Sequence, residues 1–267
     1  MVALLGLNFT DLGIDEAVEW IAARPSGEPF RYVVTPNADH VVRLSRDPGL
    51  SPIYRDAWMC LMDSRVVTRL ARLIGLRAPA VAPGSDLTER LLTRCLHQGE
   101  RITIVGLAPE YLPALIKRCD LAPPAHHNPA YGFENDPAAF AAAVQFVCDH
   151  PARFVLLAVG SPRQERLAKA ILATGRATGT GLCIGASLEF LAGVQQRAPV
   201  WMRHAGLEWL HRLGTNPRRL FRRYLIDSPA VIGLLLRERF GRERRAATAG
   251  AVIRDVPDHF GTHRTRR

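Results

Sequence analysis

Short apolar runs alternate with stretches of helical periodicity along most of the chain. The runs at Leu4–Phe9, Tyr32–Thr35, Ala57–Met62, Ile102–Val105, Phe154–Val159 and Gly181–Ile184 have the length and continuity of buried strands. Between them, apolar residues recur at helical spacing near Asp15–Ala23, Ala38–Ser45, Arg65–Ile74, Asp86–His97, Pro109–Cys119, Pro137–Cys148 and Pro162–Ala173. Strands alternating with helices of this length predict a Rossmann-like α/β fold, a mostly parallel sheet with helices on both faces. Such sheets bind ligands in the crevice beyond the carboxyl ends of their strands.

The pattern changes after about Ala186, where segments rich in Leu, Trp and Arg follow one another without a strand. We expect a Rossmann-like core over residues 1–198, a helical basic appendage over 199–245 and a disordered basic tail over 246–267. The apolar run Pro229–Leu236 is far shorter than the roughly 20 residues a membrane span needs. Flanked by arginines, it either packs on the domain or lies along a membrane surface. The N-terminal "MVALLGLNFTDLGIDE" lacks the basic start and long apolar core of a signal peptide and reads as a first strand.

Composition narrows the picture. The five cysteines are odd in number, widely spaced and without zinc spacing, as expected of reduced, mostly buried thiols in a cytosolic protein. The net charge is +10, and between Arg203 and Arg245 roughly eleven arginines face four acids. A basic balance suits nucleic acid, an anionic membrane or phosphorylated substrates. Lysine occurs only at Lys117 and Lys169, an arginine preference that a GC-rich genome explains equally well.

Polar residues then appear where folding does not ask for them. In "AVGSPRQE" (158–165) a helix start accounts for Ser161 as N-cap and Pro162 as first helical residue, but not for Arg163 and Gln164. "TPNADH" places Thr35 and Asn37 after one strand, and "MDSRVV" places Asp63 after another. Each of the three is a good N-cap taken alone; together they line one sheet edge. "VGLAPE", after the strand ending at Val105, is shorter than the GxGxxG dinucleotide fingerprint.

With "TPNADH", "MDSRVV", "PGSD", "GSPRQE" and "RAPVWMRHAGLEWLHRLGTNPRRLFRRY" in this order, the chain resembles the WecG/TagA/CpsF glycosyltransferases, glycosyltransferase family 26, from about Leu4 to Tyr224. The resemblance implies an inverting enzyme that moves a sugar from a nucleotide-sugar donor, usually a UDP-sugar, to a lipid diphosphate-linked sugar in bacterial surface polysaccharide synthesis. It makes Asp63 the general base, and has Thr35, Asn37, Gln164 and Arg163 contact the sugars. Arg212, Arg219 and Arg222 would hold the leaving diphosphate, with no cofactor and no metal. The chain shows no D-x-D-like cluster at a strand end. The appendage would complete the active site and bring a cytoplasmic enzyme to the inner face of the anionic cell membrane.

Two positions depart from the family pattern. Ser64 stands where glycine is usual, and Val81 where an arginine is common, so a substrate contact is either absent or supplied by Arg77. Trp201 and Trp209 read as packing of the appendage, and the nine histidines form no ligand pair. An oxidoreductase on the same fold would want a glycine fingerprint that "LLGLNFTDLG" does not supply, and no nucleic-acid-binding module is visible. Donor sugar, acceptor sugar and assembly into a homo-oligomer stay open.

Overall fold

The computed structural model describes residues 1–215, 217–221 and 229–241; the expected tail over 246–267 lies outside them. Six strands form one sheet: β3 (Arg31–Val34), β4 (Met59–Cys60), β5 (Thr103–Gly106), β6 (Ala125–His127), β7 (Phe154–Ala158) and β8 (Thr180–Cys183). Their order is β4-β3-β8-β7-β5-β6, and every pairing is parallel. The apolar run Leu4–Phe9 is not a strand of this sheet. It is broken by Leu5 and Gly6, both at positive φ (54° and 77°), into the antiparallel hairpin β1 (Val2–Leu4) and β2 (Leu7–Phe9).

The helices in chain order are α1 (Ile14–Ala22), α2 (Ala38–Arg46), α3 (Ser51–Arg55), α4 (Arg65–Leu73), α5 (Gly84–Arg90), α6 (Leu112–Cys119), α7 (Pro137–Asp149), α8 (Arg163–Thr174), α9 (Ser187–Leu191), α10 (Val200–Ala205), α11 (Glu208–Thr215), α12 (Pro217–Phe221) and α13 (230–241). Two apolar layers sandwich the sheet. One packs Leu44, Ile53, Val147, Leu167 and Ile171 of α2, α3, α7 and α8. The other packs Ile21, Leu87, Leu115 and Leu188 of α1, α5, α6 and α9. Right-handed crossovers force this division, because the chain leaves β7 toward β8 but leaves β5 in the opposite direction, toward β6.

Two arginines lock the amino-terminal edge of the sheet. Arg24 donates to the carbonyls of Gly179 (2.9 Å) and Pro29 (2.6 Å), at the starts of β8 and β3. Arg153 grips both oxygens of Glu100 at 2.7 Å and donates to the Ala22 carbonyl at 2.8 Å. Each guanidinium distributes its charge over several acceptors, which is what makes burying it tolerable. All five cysteines are unpaired, and Cys60, Cys119 and Cys183 are buried.

The apolar run that begins at Pro229 packs on the domain along one side. Val231 and Leu235 of α13 belong to the same cluster as Leu44 and Ile53, and the Leu5 N–H donates to Glu238 Oε2 at 2.6 Å. Ile232, Leu236 and Phe240 stay exposed on the same helix. Among the described residues, no helix is long and apolar enough to cross a membrane.

Leu235 is 1% exposed. Leu235→Ala should therefore cost about 2–5 kcal/mol of unfolding free energy, as other large-to-small core changes do. Urea denaturation of the full chain measures it, and a loss within error of zero would mean that α13 does not share the core.

Candidate active site

Four loops at the carboxyl edge of the sheet carry the polar residues singled out above. Asn37 caps α2: its Oδ1 accepts from the Asp39 N–H at 3.1 Å and lies 2.9 Å from His40 Nδ1. At the end of β4 the cap of α4 is Ser64, whose Oγ accepts from the Val67 N–H at 3.2 Å. This gives the departure at Ser64 a physical reason, since glycine has no side chain with which to cap. Asp63 is thereby not a cap. Its Oδ1 accepts from the Gly84 N–H at 3.2 Å, one of the donors left over at the start of α5. Gly84 is needed there, because a Cβ would lie 2.6 Å from Thr35 Oγ1. Asp63, Thr35 and the "PGSD" turn are thus packed against one another.

The end of β7 is arranged differently from the capping expectation. Pro162, not Ser161, occupies the N-cap position of α8, and Ser161 Oγ instead accepts from Arg43 at 2.8 Å. Arg163 lies 3.8 Å from Glu134 and over the Tyr131 ring at 5.3 Å. Gln164 is buried. Its Oε1 accepts from the Gly185 N–H at 2.9 Å, and its Nε2 donates to Glu165 Oε1 at 2.9 Å.

Glu165 is 2% exposed, with His40 Nε2 3.6 Å from its Oε1. Burial pushes its carboxyl pKa up, but the hydrogen bond and charge of His40 outweigh that and leave it below the ordinary value. The carboxylate therefore ties α2, the start of α8 and, through Gln164, the end of β8 into one network. Gly185 leaves the edge above β8 open, for a Cβ there would meet nothing within 4 Å.

A cavity of about 390 Å³ lies beside this edge, between the core and the appendage. Its polar lining includes Asn37, Asp63, Arg65, Ser85, Asp86 and Arg203, and its apolar wall includes Val66, Leu70, Trp209 and Ile232. Thr35, Arg163 and Gln164 lie on the same sheet edge but outside this lining. The appendage docks through Arg203, which pairs with Asp86 at 3.3 Å, and through the Ala205 carbonyl, which accepts from Arg69 at 2.5 Å; just ahead of it, Arg197 donates to Ser85 Oγ at 2.7 Å and also pairs with Asp86. Gly206, at φ 76°, lets α10 end close against Val66 and Arg69.

Arg212 lies on α11 and Arg219 on α12, but their side chains, like the whole of Arg222, fall outside the described residues. Arg77 is off the cavity, exposed and paired with Asp11 at 3.4 Å. Trp209 lines the cavity, while Trp201 is 65% exposed, so only the first meets the packing expectation even in part. Sequence reading missed Arg65 and Arg203 as cavity residues, although both stand inside quoted motifs, "MDSRVV" and "RAPVWMRHAGLEW". Among the described residues, no group of three His, Cys, Asp or Glu side chains converges to hold a metal ion.

Residues 2–245 match the family of WecG/TagA/CpsF glycosyl transferases. Over 211 residues the chain is 28% identical to the N-acetylglucosaminyldiphosphoundecaprenol N-acetyl-beta-D-mannosaminyltransferase of Bacillus spizizenii, covering 78% of this chain and 80% of that protein.

The network around Glu165 makes stability depend on pH in a definite direction. A carboxylate held below its ordinary pKa contributes stability that is complete above about pH 4.3 and lost as pH falls through the folded value. Glu165→Gln should therefore be less stable than the wild type at pH 7, with the gap narrowing below about pH 4. Urea midpoints of both proteins across that range check it, and a gap independent of pH would contradict it.

Proposed function

Since the chain belongs to the WecG/TagA/CpsF family of glycosyl transferases, we propose that it transfers a sugar, with inversion, from a UDP-sugar to a sugar carried on a lipid diphosphate. The relative from Bacillus spizizenii supports the acceptor class, because its name describes a mannosaminyltransferase acting on a diphosphoundecaprenol-linked sugar. The product would enter a bacterial surface polysaccharide. The observation that carries the reading is Asp63: a carboxylate at a strand end, lining a cavity that also holds two arginines and apolar side chains.

In this reading Asp63 takes the proton of the acceptor hydroxyl as that oxygen bonds to the anomeric carbon of the donor. The bond from that carbon to the nucleotide diphosphate breaks, and its electron pair leaves with the phosphate oxygen. The Gly84 N–H donates to Asp63 Oδ1 at 3.2 Å and so fixes the orientation of the carboxylate at the strand end. Asn37 and Thr35 contact the sugars beside it. Gln164 acts from below, since both ends of its amide are engaged in fixing the β8 end. Arg163 faces the donor from the far side, and Arg212, Arg219 and Arg222 neutralise the departing diphosphate through the bidentate contacts that guanidinium favours. The exposed apolar residues Trp201, Leu210, Phe221, Ile232 and Phe240 on α10 to α13, with the surrounding arginines, support attachment to the inner face of an anionic membrane.

Asp63→Asn should lower turnover by about 10²–10⁴-fold while leaving UDP affinity nearly unchanged, because a base is removed and not a donor contact. Steady-state assay on a soluble short-chain acceptor, beside calorimetric titration with UDP, separates the two effects; near-wild-type turnover would place the base elsewhere. Transfer should also persist in EDTA. A complete loss restored by Mg²⁺ or Mn²⁺ would overturn the metal-independent mechanism.

A further inference from the structure

The cavity contains more charge than the proton transfer uses. Four of its lining residues are carboxylates, Asp39, Asp63, Asp86 and Glu208, and two are arginines, Arg65 and Arg203. Two of the carboxylates are neutralised from outside the cavity. Asp39 pairs with Arg43 at 2.7 Å, and Asp86 is held by Arg197. The cations are not matched in the same way. The Arg65 guanidinium makes no hydrogen bond or ion pair with any described residue, although it lies two positions from Asp63 in the wall of the cavity. Arg203 gives Nη1 to Asp86 at 3.3 Å, while its Nε is buried without a partner. A guanidinium left short of acceptors in a partly dried wall is costly unless a ligand completes it.

Apolar side chains surround these two arginines. Val66 and Leu70 of α4, Trp209 of α11, and Val231 and Ile232 of α13 line the same space. A nucleotide diphosphate would meet polar partners on every side, and this wall does not provide them. An amphiphile whose anionic group is joined directly to a hydrocarbon chain fits both halves of it.

We propose that Arg65 and Arg203 are the anchor for the acceptor's own diphosphate, and that Val66, Leu70 and Ile232 receive the first apolar units of its lipid. This rests on the glycosyl-transfer reading and divides the substrates between two places. The acceptor sugar is delivered to Asp63 from the appendage side, and the donor occupies the sheet edge toward β8 and β7. Val81 follows from the same arrangement. It bridges Met62 just after β4, next to Asp63, and brings no charge to that corner. Arg65, on the neighbouring turn, brings a cation to the same corner of the cavity.

The test is binding, and needs no turnover. Farnesyl diphosphate, farnesol and UDP are each titrated into the full chain and into Arg65→Ala, Arg65→Lys and Arg203→Ala, by calorimetry or Trp fluorescence. Farnesyl diphosphate should bind the wild type far better than farnesol. Each Ala variant should weaken it roughly 10- to 100-fold, the range expected for a lost hydrogen bond to a charged group. Arg65→Lys should recover part of that loss, and UDP affinity should stay within about twofold in all variants. Arg65 has no described partner to lose, so its substitution reads the site even where Arg203→Ala disturbs the docking at Asp86. Unchanged farnesyl diphosphate affinity in Arg65→Ala, or equal binding of farnesol, overturns the proposal. A fall in UDP affinity with farnesyl diphosphate unaffected would assign these arginines to the donor and likewise overturn it. Failure of the glycosyl-transfer reading looks different: no nucleotide-sugar would be consumed by the wild type, whatever the arginines bind.

Discussion

The arrangement of the sheet edge depends on one buried carboxylate. Glu165 has almost no exposure, yet it is held ionised by His40 from α2 and by the amide of Gln164 beside it. Gln164 passes the constraint on to the Gly185 N–H, and His40 passes it on to Asn37. Three loops from three strands are thereby fixed against one another by polar contacts, where neither sheet hydrogen bonds nor apolar packing can reach. A network of this kind is strong only when complete, because each partner removed leaves a desolvated group behind. In the proposed reading it sits below the site, so the sugars would meet an edge whose geometry is set before they arrive.

The two ends of the sheet divide stability from function. Arg24 and Arg153 close the amino-terminal edge by donating to the carbonyls of Gly179, Pro29 and Ala22. The carboxyl edge is left open, and the appendage supplies the missing wall. The appendage is not an independent body resting on the core: Arg203 reaches Asp86, Arg69 holds the Ala205 carbonyl, and α13 places Val231 and Leu235 in the central apolar cluster. The same helices that complete the cavity also expose apolar side chains outward. In the proposed reading, membrane attachment and acceptor entry would lie on the same side of the molecule.

Much of this was legible in the sequence, for reasons that differ from element to element. The runs that became β3, β5, β7 and β8 are buried on both faces and so read as continuous apolar stretches. β6 was not legible, because Ala125–His127 is a short, half-buried edge strand with no apolar run; His126 instead reaches the Gly106 and Leu107 carbonyls at 2.9 and 3.0 Å. The first apolar run misled, since continuity conceals a turn when Leu5 adopts a positive φ that its residue type rarely takes. Asp63 and Asn37, which line the cavity, and Thr35 on the same edge could be singled out because strand ends are where polar residues need explaining. Arg65 and Arg203 could not. An arginine on an amphipathic helix looks the same in sequence whether or not a partner awaits it, and only the packing shows that Arg65 has none among the described residues.

The sheet order also bears on how the proposed inversion would be arranged. Attack and departure must take place on opposite sides of the anomeric carbon, so base and leaving group cannot share a loop. Asp63 follows β4, the strand at one edge, whereas Arg163 follows β7, with β3 and β8 between them. Three interstrand spacings amount to roughly 14 Å. The residues spanning that interval are Thr35 after β3 and Gly185 after β8, one small and one without a side chain. In the proposed reading, Asp63 as base at one end, Arg163 facing the donor at the other and little bulk between them would leave room for one sugar laid across the strand ends. An acceptor entering over β4 then meets the face of that sugar turned away from β7. The stereochemical outcome would follow from strand order, with the side chains only refining it.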